Sequence, residues 1–198
     1  MKFLLRIPAV YLGIQSLLGA KQARKKCIDE FALPRAGERV LDIGCGPGFV
    51  IEYLPEVQYV GTDIDSHYIR YAQRTYGSRG EFHCMELNES NIGTLGQFDL
   101  VLLNGVVHHL DDQQVQHLFG LIRGCLAPSG RLVTLDGCYY PSMSPISRML
   151  IRNDRGEHVR EEAAYLELAR KHFSRVDFSH RKDLFRVPYD ALVMVCYS

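Results

Sequence analysis

The chain reads as an α/β protein built on a mostly parallel sheet with helices covering both faces, and three observations carry that expectation. Strand-like and helix-like segments alternate from residue 37 to 136, the rhythm of parallel strands joined by helical crossovers. The apolar run Val40-Leu41-Asp42-Ile43 ends in a glycine-rich turn, Gly44-Cys45-Gly46-Pro47-Gly48, before Phe49 to Leu54 resumes an apolar pattern. The last nine residues, Asp190 to Ser198, are almost wholly apolar, as a strand buried on both faces must be.

Taken in order, Leu17 to Phe31 predicts a helix with a basic outer face, stopped before Pro34. Val40 to Ile43 is the first strand, and the turn after it leads into a predicted helix whose first amides would be left to face a ligand. Gln58 to Thr62 is the second strand, ending at Asp63-Ile64-Asp65, with Ser66 capping a helix closed by Gly77. Glu81 to Leu87 and Phe98 to Leu103 follow as strands. Asp111 or Asp112 caps a helix with Val115, Leu118, Phe119 and Ile122 on one face. Pro128-Ser129-Gly130 turns the chain into a fifth strand, Arg131 to Asp136. The rhythm then breaks over Gly137 to His158, and long irregular stretches in a small domain usually carry function. A helix from Glu161 to Phe173, a strand from Arg175 to His180 and the buried terminal strand complete the chain.

With 198 residues, one α/β domain with a proper core is expected. Within it, 1–36 forms an N-terminal helical cap, 37–136 a ligand-binding core, 137–165 a lid and 166–198 the last helix and strands. Lysine plus arginine and aspartate plus glutamate both number 23, so no net charge draws the chain to a phosphate backbone, and nucleic acid is a poor candidate partner. The six cysteines form no C-x-x-C pair and suit reduced thiols in a cytoplasm. Met1 to Leu5 resembles a signal peptide only until Arg6 and Pro8 interrupt it, and no apolar stretch is long enough to span a bilayer, so a membrane is not expected as a partner. Oligomeric state is not legible.

The turn holds the most specific information. Dinucleotide sites use G-x-G-x-x-G, whose amides meet a pyrophosphate. Here the spacing is G-x-G-x-G, and Pro47 supplies no N–H. Asp63 falls about twenty residues after the first glycine, where an acceptor-only side chain suits the two hydroxyls of a ribose. Over the nine residues Val40 to Gly48, including Asp42, the chain resembles the first motif of class I S-adenosylmethionine-dependent methyltransferases. That resemblance covers 37–136 and implies a seven-stranded sheet whose last strand inserts antiparallel between the fifth and sixth. It implies S-adenosylmethionine as donor, S-adenosylhomocysteine as product, and methyl transfer to a small-molecule acceptor, with a hydroxyl favoured.

By the same resemblance Asp42, Gly44, Cys45, Gly46 and Leu87 border the donor, and Ile64 beside Asp63 lies against the adenine. Glu86 either accepts from the adenine amino group or is a plain surface carboxylate. Asn104, in Asn104-Gly105-Val106-Val107-His108-His109-Leu110, matches a fourth family motif that meets the methionine end of the donor. Tyr11 either touches the ligand or only packs the cap. His108 or His109 is a candidate general base, since imidazole titrates near neutrality, with a structural histidine as the alternative. Asp136 is a third candidate to accept or route the acceptor's proton. His108, His109, Asp111, Asp112 and His117 show no metal-ligand spacing, so no metal is expected. Tyr139, Tyr140, Met143, Tyr189 and the arginines 148, 152, 155 and 160 suit either a lid binding an anionic acceptor or a solvated charged loop. A non-catalytic donor-binding subunit and a nicotinamide-dependent oxidoreductase remain open alternatives.

Overall fold

A computed structural model describes residues 19–153 and 156–198. Tyr11, Asp154 and Arg155 therefore lie outside the described residues. Helix α1 (Ala20–Cys27) runs into a single wide turn, Ile28–Ala32, that ends at Leu33 in the left-handed region. Strands β1 (Arg39–Ile43), β2 (Gln58–Asp63), β3 (Gly80–Cys84), β4 (Phe98–Asn104) and β5 (Leu126–Tyr139) follow. Between them lie α2 (Ser66–Tyr76), the short α3 (Glu89–Ile92) and α4 (Asp112–Cys125). Helix α5 (Pro145–Arg152), the two-residue β6 (Arg160–Glu161), α6 (Glu162–Arg170), β7 (Arg175–Arg181) and β8 (Ala191–Tyr197) complete the described elements.

The strand order is β3-β2-β1-β4-β5-β8-β7. The first five pair in parallel, with Leu41 opposite Val60 on one side and Val101 on the other. Strand β8 runs antiparallel to both β5 and β7, with Val195 opposite Val133 and Met194 opposite Phe178. This is the doubly wound sheet that the motif implies, with β6 added as a small extra pairing on β5. Successive residues of a strand point to opposite faces. Leu100 to Leu103 in β4 and Ala191 to Cys196 in β8 are all buried, so both faces of the sheet are covered.

Several boundaries differ from the sequence reading. The segment after the glycine turn, Phe49–Tyr53, is one tight 3-10 stretch and not a regular helix. The cap of α2 is Asp65, whose carboxylate accepts from the His67 amide, in place of Ser66. Strand β3 ends at Cys84, leaving Met85 to Leu87 as a loop. Within 137–158 the chain is more regular than expected, because β5 continues to Tyr139 and Ser144 caps α5 with Pro145 at its first turn. The Pro128-Ser129-Gly130 turn lies inside β5 as a bulge between the pairs Phe98–Leu126 and Leu100–Arg131.

Arg131 fastens the first helix to the sheet. Its Nε donates to the Ala32 carbonyl at 2.8 Å, and its guanidinium also reaches the Leu33 carbonyl at 3.0 Å and both oxygens of Glu38 at 3.1 Å. These carbonyls end a helix and have no intrahelical partner, so a bidentate arginine is well matched to them. Replacing Arg131 by alanine leaves Glu38 nearly buried without its cation. Urea denaturation is expected to show a loss of about 3–5 kcal/mol, with lysine recovering only part of it.

Candidate functional site

The carboxyl ends of β1, β2, β4 and β5 open into a cavity of about 780 Å³. Open parallel sheets place ligands at this edge. Its floor is the glycine turn, in which Gly44, Gly46 and Gly48 all have positive φ, at 70°, 55° and 79°. A Cβ on Gly44 would lie 2.7 Å from Val106 Cγ2, whereas one on Gly46 would meet nothing within 4 Å. Gly44 is thus required by packing, and Gly46 keeps the concave side of the turn open to the cavity.

The turn is suspended from the end of β2. The Gly44 and Cys45 amides both donate to the Thr62 carbonyl, at 2.8 and 3.0 Å. The Gly46 amide donates to Asp63 Oδ2 at 2.9 Å, and the Asp65 amide to Asp63 Oδ1 at 2.8 Å. The Gly48 amide donates to the Cys45 carbonyl at 3.1 Å. The amides of the turn itself therefore have internal acceptors. What the turn offers a ligand is a bare backbone surface and the remaining lone pairs of Asp63.

Around it stand the other candidates. Ile64 is exposed beside Asp63, and Met85, Glu86 and Leu87 follow from the end of β3, all bordering the cavity. The Cys45 thiol is buried in the turn, and burial, reinforced by Asp42 and Asp63, pushes its pKa up, so it is no nucleophile. Asp42 is 1% exposed, and the Tyr59 hydroxyl donates to its Oδ2 at 2.7 Å. Burial pushes the Asp42 carboxyl up to about 7, with Asp63 adding to the rise and Tyr59 and Arg24 opposing it. Arg24 borders the cavity from α1. The sequence reading missed it as part of a basic outer face, although the buried stripe Ala20, Ala23 and Cys27 places residue 24 at that stripe's edge.

The other wall brings Asn104, His108 and Asp136 together. The ring of His108 is buried, with Nδ1 2.8 Å from Asp136 Oδ1, and the same oxygen accepts the His108 amide at 3.2 Å. A carboxylate against Nδ1 holds the proton on that nitrogen and assigns Nε2 the basic role. The second oxygen of Asp136 and the amide nitrogen of Asn104 are buried without a hydrogen-bond partner. Such orphaned groups at a cavity wall fit a ligand that carries both donors and acceptors. His109 also borders the cavity, its ring centroid 4.3 Å from that of His108, but it is exposed.

Arg160, one of the arginines expected to meet an acceptor, has another position. Its guanidinium donates to the carbonyls of Val107, Leu110 and His158 at 3.2, 2.7 and 2.8 Å and to Asp112 at 2.8 Å. It therefore clamps the 3-10 turn Val107–His109 that carries both histidines. Gly156 lies against His108 so closely that any Cβ there would collide with the imidazole. Arg148 and Arg152 are exposed on α5. Asp111 caps α4, and His117 is exposed near Glu89. Tyr140 is stacked on His180, and Met143 is buried.

Residues 41–132 match the family described as a methyltransferase domain, and the doubly wound sheet around the glycine turn agrees with that match. The chain is similar to the malonyl-[acyl-carrier protein] O-methyltransferase of Legionella pneumophila, at 35% identity over 37% of this chain and 28% of that one. It is also similar to phosphoethanolamine N-methyltransferase 3 of Arabidopsis thaliana, at 26% identity over 84% of this chain and 35% of that one. The chain thus spans about a third of the length of these curated relatives. Among solved structures, the pyocyanin biosynthetic protein PhzM superposes with a TM-score of 0.75 at 18% identity, covering 98% of this chain and 60% of that one.

Asp42 makes stability depend on pH in a definite direction. The unfolded chain ionises this carboxyl near 4, and the folded one near 7, so the folded state binds more protons between these values. Stability is expected to fall as pH rises through that window, by at most about 1.4 kcal/mol per pH unit, and to level off above it. Urea denaturation at pH 5 and 7.5 checks this, with Asp42→Asn expected to flatten the difference.

Proposed function

We propose that this protein transfers a methyl group from S-adenosylmethionine to a hydroxyl of a small-molecule acceptor, with His108 as general base and Asp136 as the group that orients it. The observation that carries the reading is the juxtaposition of the open glycine turn with the buried His108–Asp136 pair across one cavity. Asp63 would hold the donor's ribose, Ile64 and Leu87 its adenine, and Asn104 the methionine end, with Glu86 placed to accept from the adenine amino group. Asp42, Asp63, Glu86 and Asp136 outnumber Arg24 around the cavity among the described residues. That balance favours a cationic donor.

When bound, the donor would supply an electrophilic methyl on a sulfonium, to be transferred to the acceptor oxygen with the thioether as leaving group. His108 Nε2 takes the proton leaving the hydroxyl, and the resulting imidazolium is stabilised by Asp136. The remainder of the barrier reduction comes from alignment, on the order of 7–11 kcal/mol in favourable systems. Of the two relatives one is an O-methyltransferase and the other an N-methyltransferase, so the choice of oxygen rests on the His108–Asp136 pair. The internally satisfied amides of 44–48 count against a nicotinamide coenzyme, whose pyrophosphate needs them. A donor-binding subunit without turnover would not need an oriented histidine at the cavity wall. We also propose that the acceptor is not a nucleic acid, as the balanced charge suggests.

Labelled donor supplied with a panel of hydroxyl-bearing acceptors tests the reaction. His108→Gln is expected to lower kcat by about 10²–10⁴ while leaving donor affinity unchanged. Gly46→Ala places a Cβ in the donor's berth, so donor affinity measured by calorimetry is expected to fall at least about tenfold, at a stability cost of only about 1–2 kcal/mol. Normal kcat in His108→Gln would remove the base from the mechanism.

A further inference from the structure

Resting on the methyl-transfer reading above, we infer that the half of the cavity beyond His108 takes a neutral, largely apolar acceptor, an aryl alcohol and not an anionic metabolite. Its walls come from four separate elements: Leu110 after the histidine turn, Leu118 on α4, Leu150 on α5, and Phe185 with Tyr189 from the loop before β8. Phe185 and Tyr189 form a tilted aromatic pair with centroids 4.7 Å apart. Tyr189 is buried against Gly137, where any Cβ would collide with its hydroxyl, so the missing side chain of Gly137 lets the aromatic wall reach the residue next to Asp136. Apolar and aromatic walls of this kind bind flat rings through area and edge contacts.

The charges are arranged against an anion. Arg24 is the lysine or arginine side chain bordering the cavity among the described residues, and it stands on the opposite wall, close enough to Asp42 to act on its ionisation. Arg148 and Arg152 are exposed on α5, while Leu150 of the same helix borders the cavity. Arg160 is occupied by three carbonyls and Asp112. Polar side chains bordering the cavity have partners in the protein itself: the Gln114 carboxamide oxygen accepts the Asp111 amide, Asn153 Nδ2 donates to the Met149 carbonyl, and His117 Nδ1 lies 3.5 Å from Glu89 Oε1. A carboxylate or phosphate there would lose water, gain no cation and face Asp136.

Calorimetric titration with 2-naphthol and with 6-hydroxy-2-naphthoate, with and without saturating S-adenosylhomocysteine, tests the inference. The two probes share ring and hydroxyl and differ by one carboxylate. The neutral probe is expected to bind at least tenfold more tightly, and Phe185→Ala to weaken it about tenfold while S-adenosylhomocysteine affinity, read as a check of folding, stays unchanged. Leu150→Arg is expected to narrow or reverse the preference. Equal or tighter binding of the carboxylate probe, no binding of 2-naphthol, or indifference to Phe185→Ala overturns the inference. Failure of the underlying reading has a different signature: no S-adenosylhomocysteine binding, or no labelled methyl on any acceptor, while 2-naphthol still binds.

Discussion

The geometry of the site depends on one carboxylate. Asp63 ends β2 and accepts two backbone amides, one from Gly46 across the cavity floor and one from Asp65 at the start of α2. The first bond fixes the turn after β1, and the second fixes the chain entering the helix beside it. Both strands are already in register through the parallel ladder, Ile43 opposite Thr62. A charge-assisted pair of amide bonds at that point therefore sets the distance between turn and helix to within a hydrogen bond's tolerance. The same arrangement explains why the turn can be rich in glycine without collapsing, since its N–H groups are held by neighbours and its open side faces the cavity.

A parallel sheet collects the ends of its strands along one edge, and here that edge separates two chemistries. The β1 and β2 ends present carboxylates and bare backbone. The β4 and β5 ends present an amide, an imidazole and the aspartate that orients it. Strand β1 neighbours both β2 and β4, so the two sets lie on either side of the central strand. Such rigid elements hold reacting groups more closely than loops do. Arg160 extends this principle to the histidine turn, which lies beyond the end of β4 and is held to β5 through the bonds of His108 to Asp136.

What the sequence made legible is what short-range spacing determines. The glycine turn and Asp63 about twenty residues on follow from local spacing, Asn104 with His108 from resemblance to a family motif, and all border the cavity. The apolar run Ala191 to Tyr197 announced a central strand because burial on both faces leaves no polar alternation. The parts not legible depend on partners far apart in the chain. Nothing local to Asp42 names Tyr59 as its hydrogen-bond partner, and nothing around Arg160 points to the carbonyls of Val107 and Leu110 some fifty residues earlier. Its companions Arg148 and Arg152 look identical in sequence and face solvent. Asp65 displaced Ser66 as cap because both are good caps and only the chain's exit angle from β2 decides between them. Phe185 carried no periodic signal because it belongs to a loop, whereas Tyr189 of the same loop was among the candidates for the acceptor pocket.

The placement of β8 has a consequence for how the molecule is made. Strand β7 pairs with β8 and not with β5, so the five parallel strands and β7 are joined into one sheet only through residues 191–197. During synthesis, β5 must keep one edge of unpaired amides and carbonyls available while some fifty residues of helix and loop emerge after it. An early-formed block with an open, apolar flank is a template for mispairing with another nascent chain. The emergence of residues 191–197, more than any local helix, is then the event that commits this chain to its own partner strand.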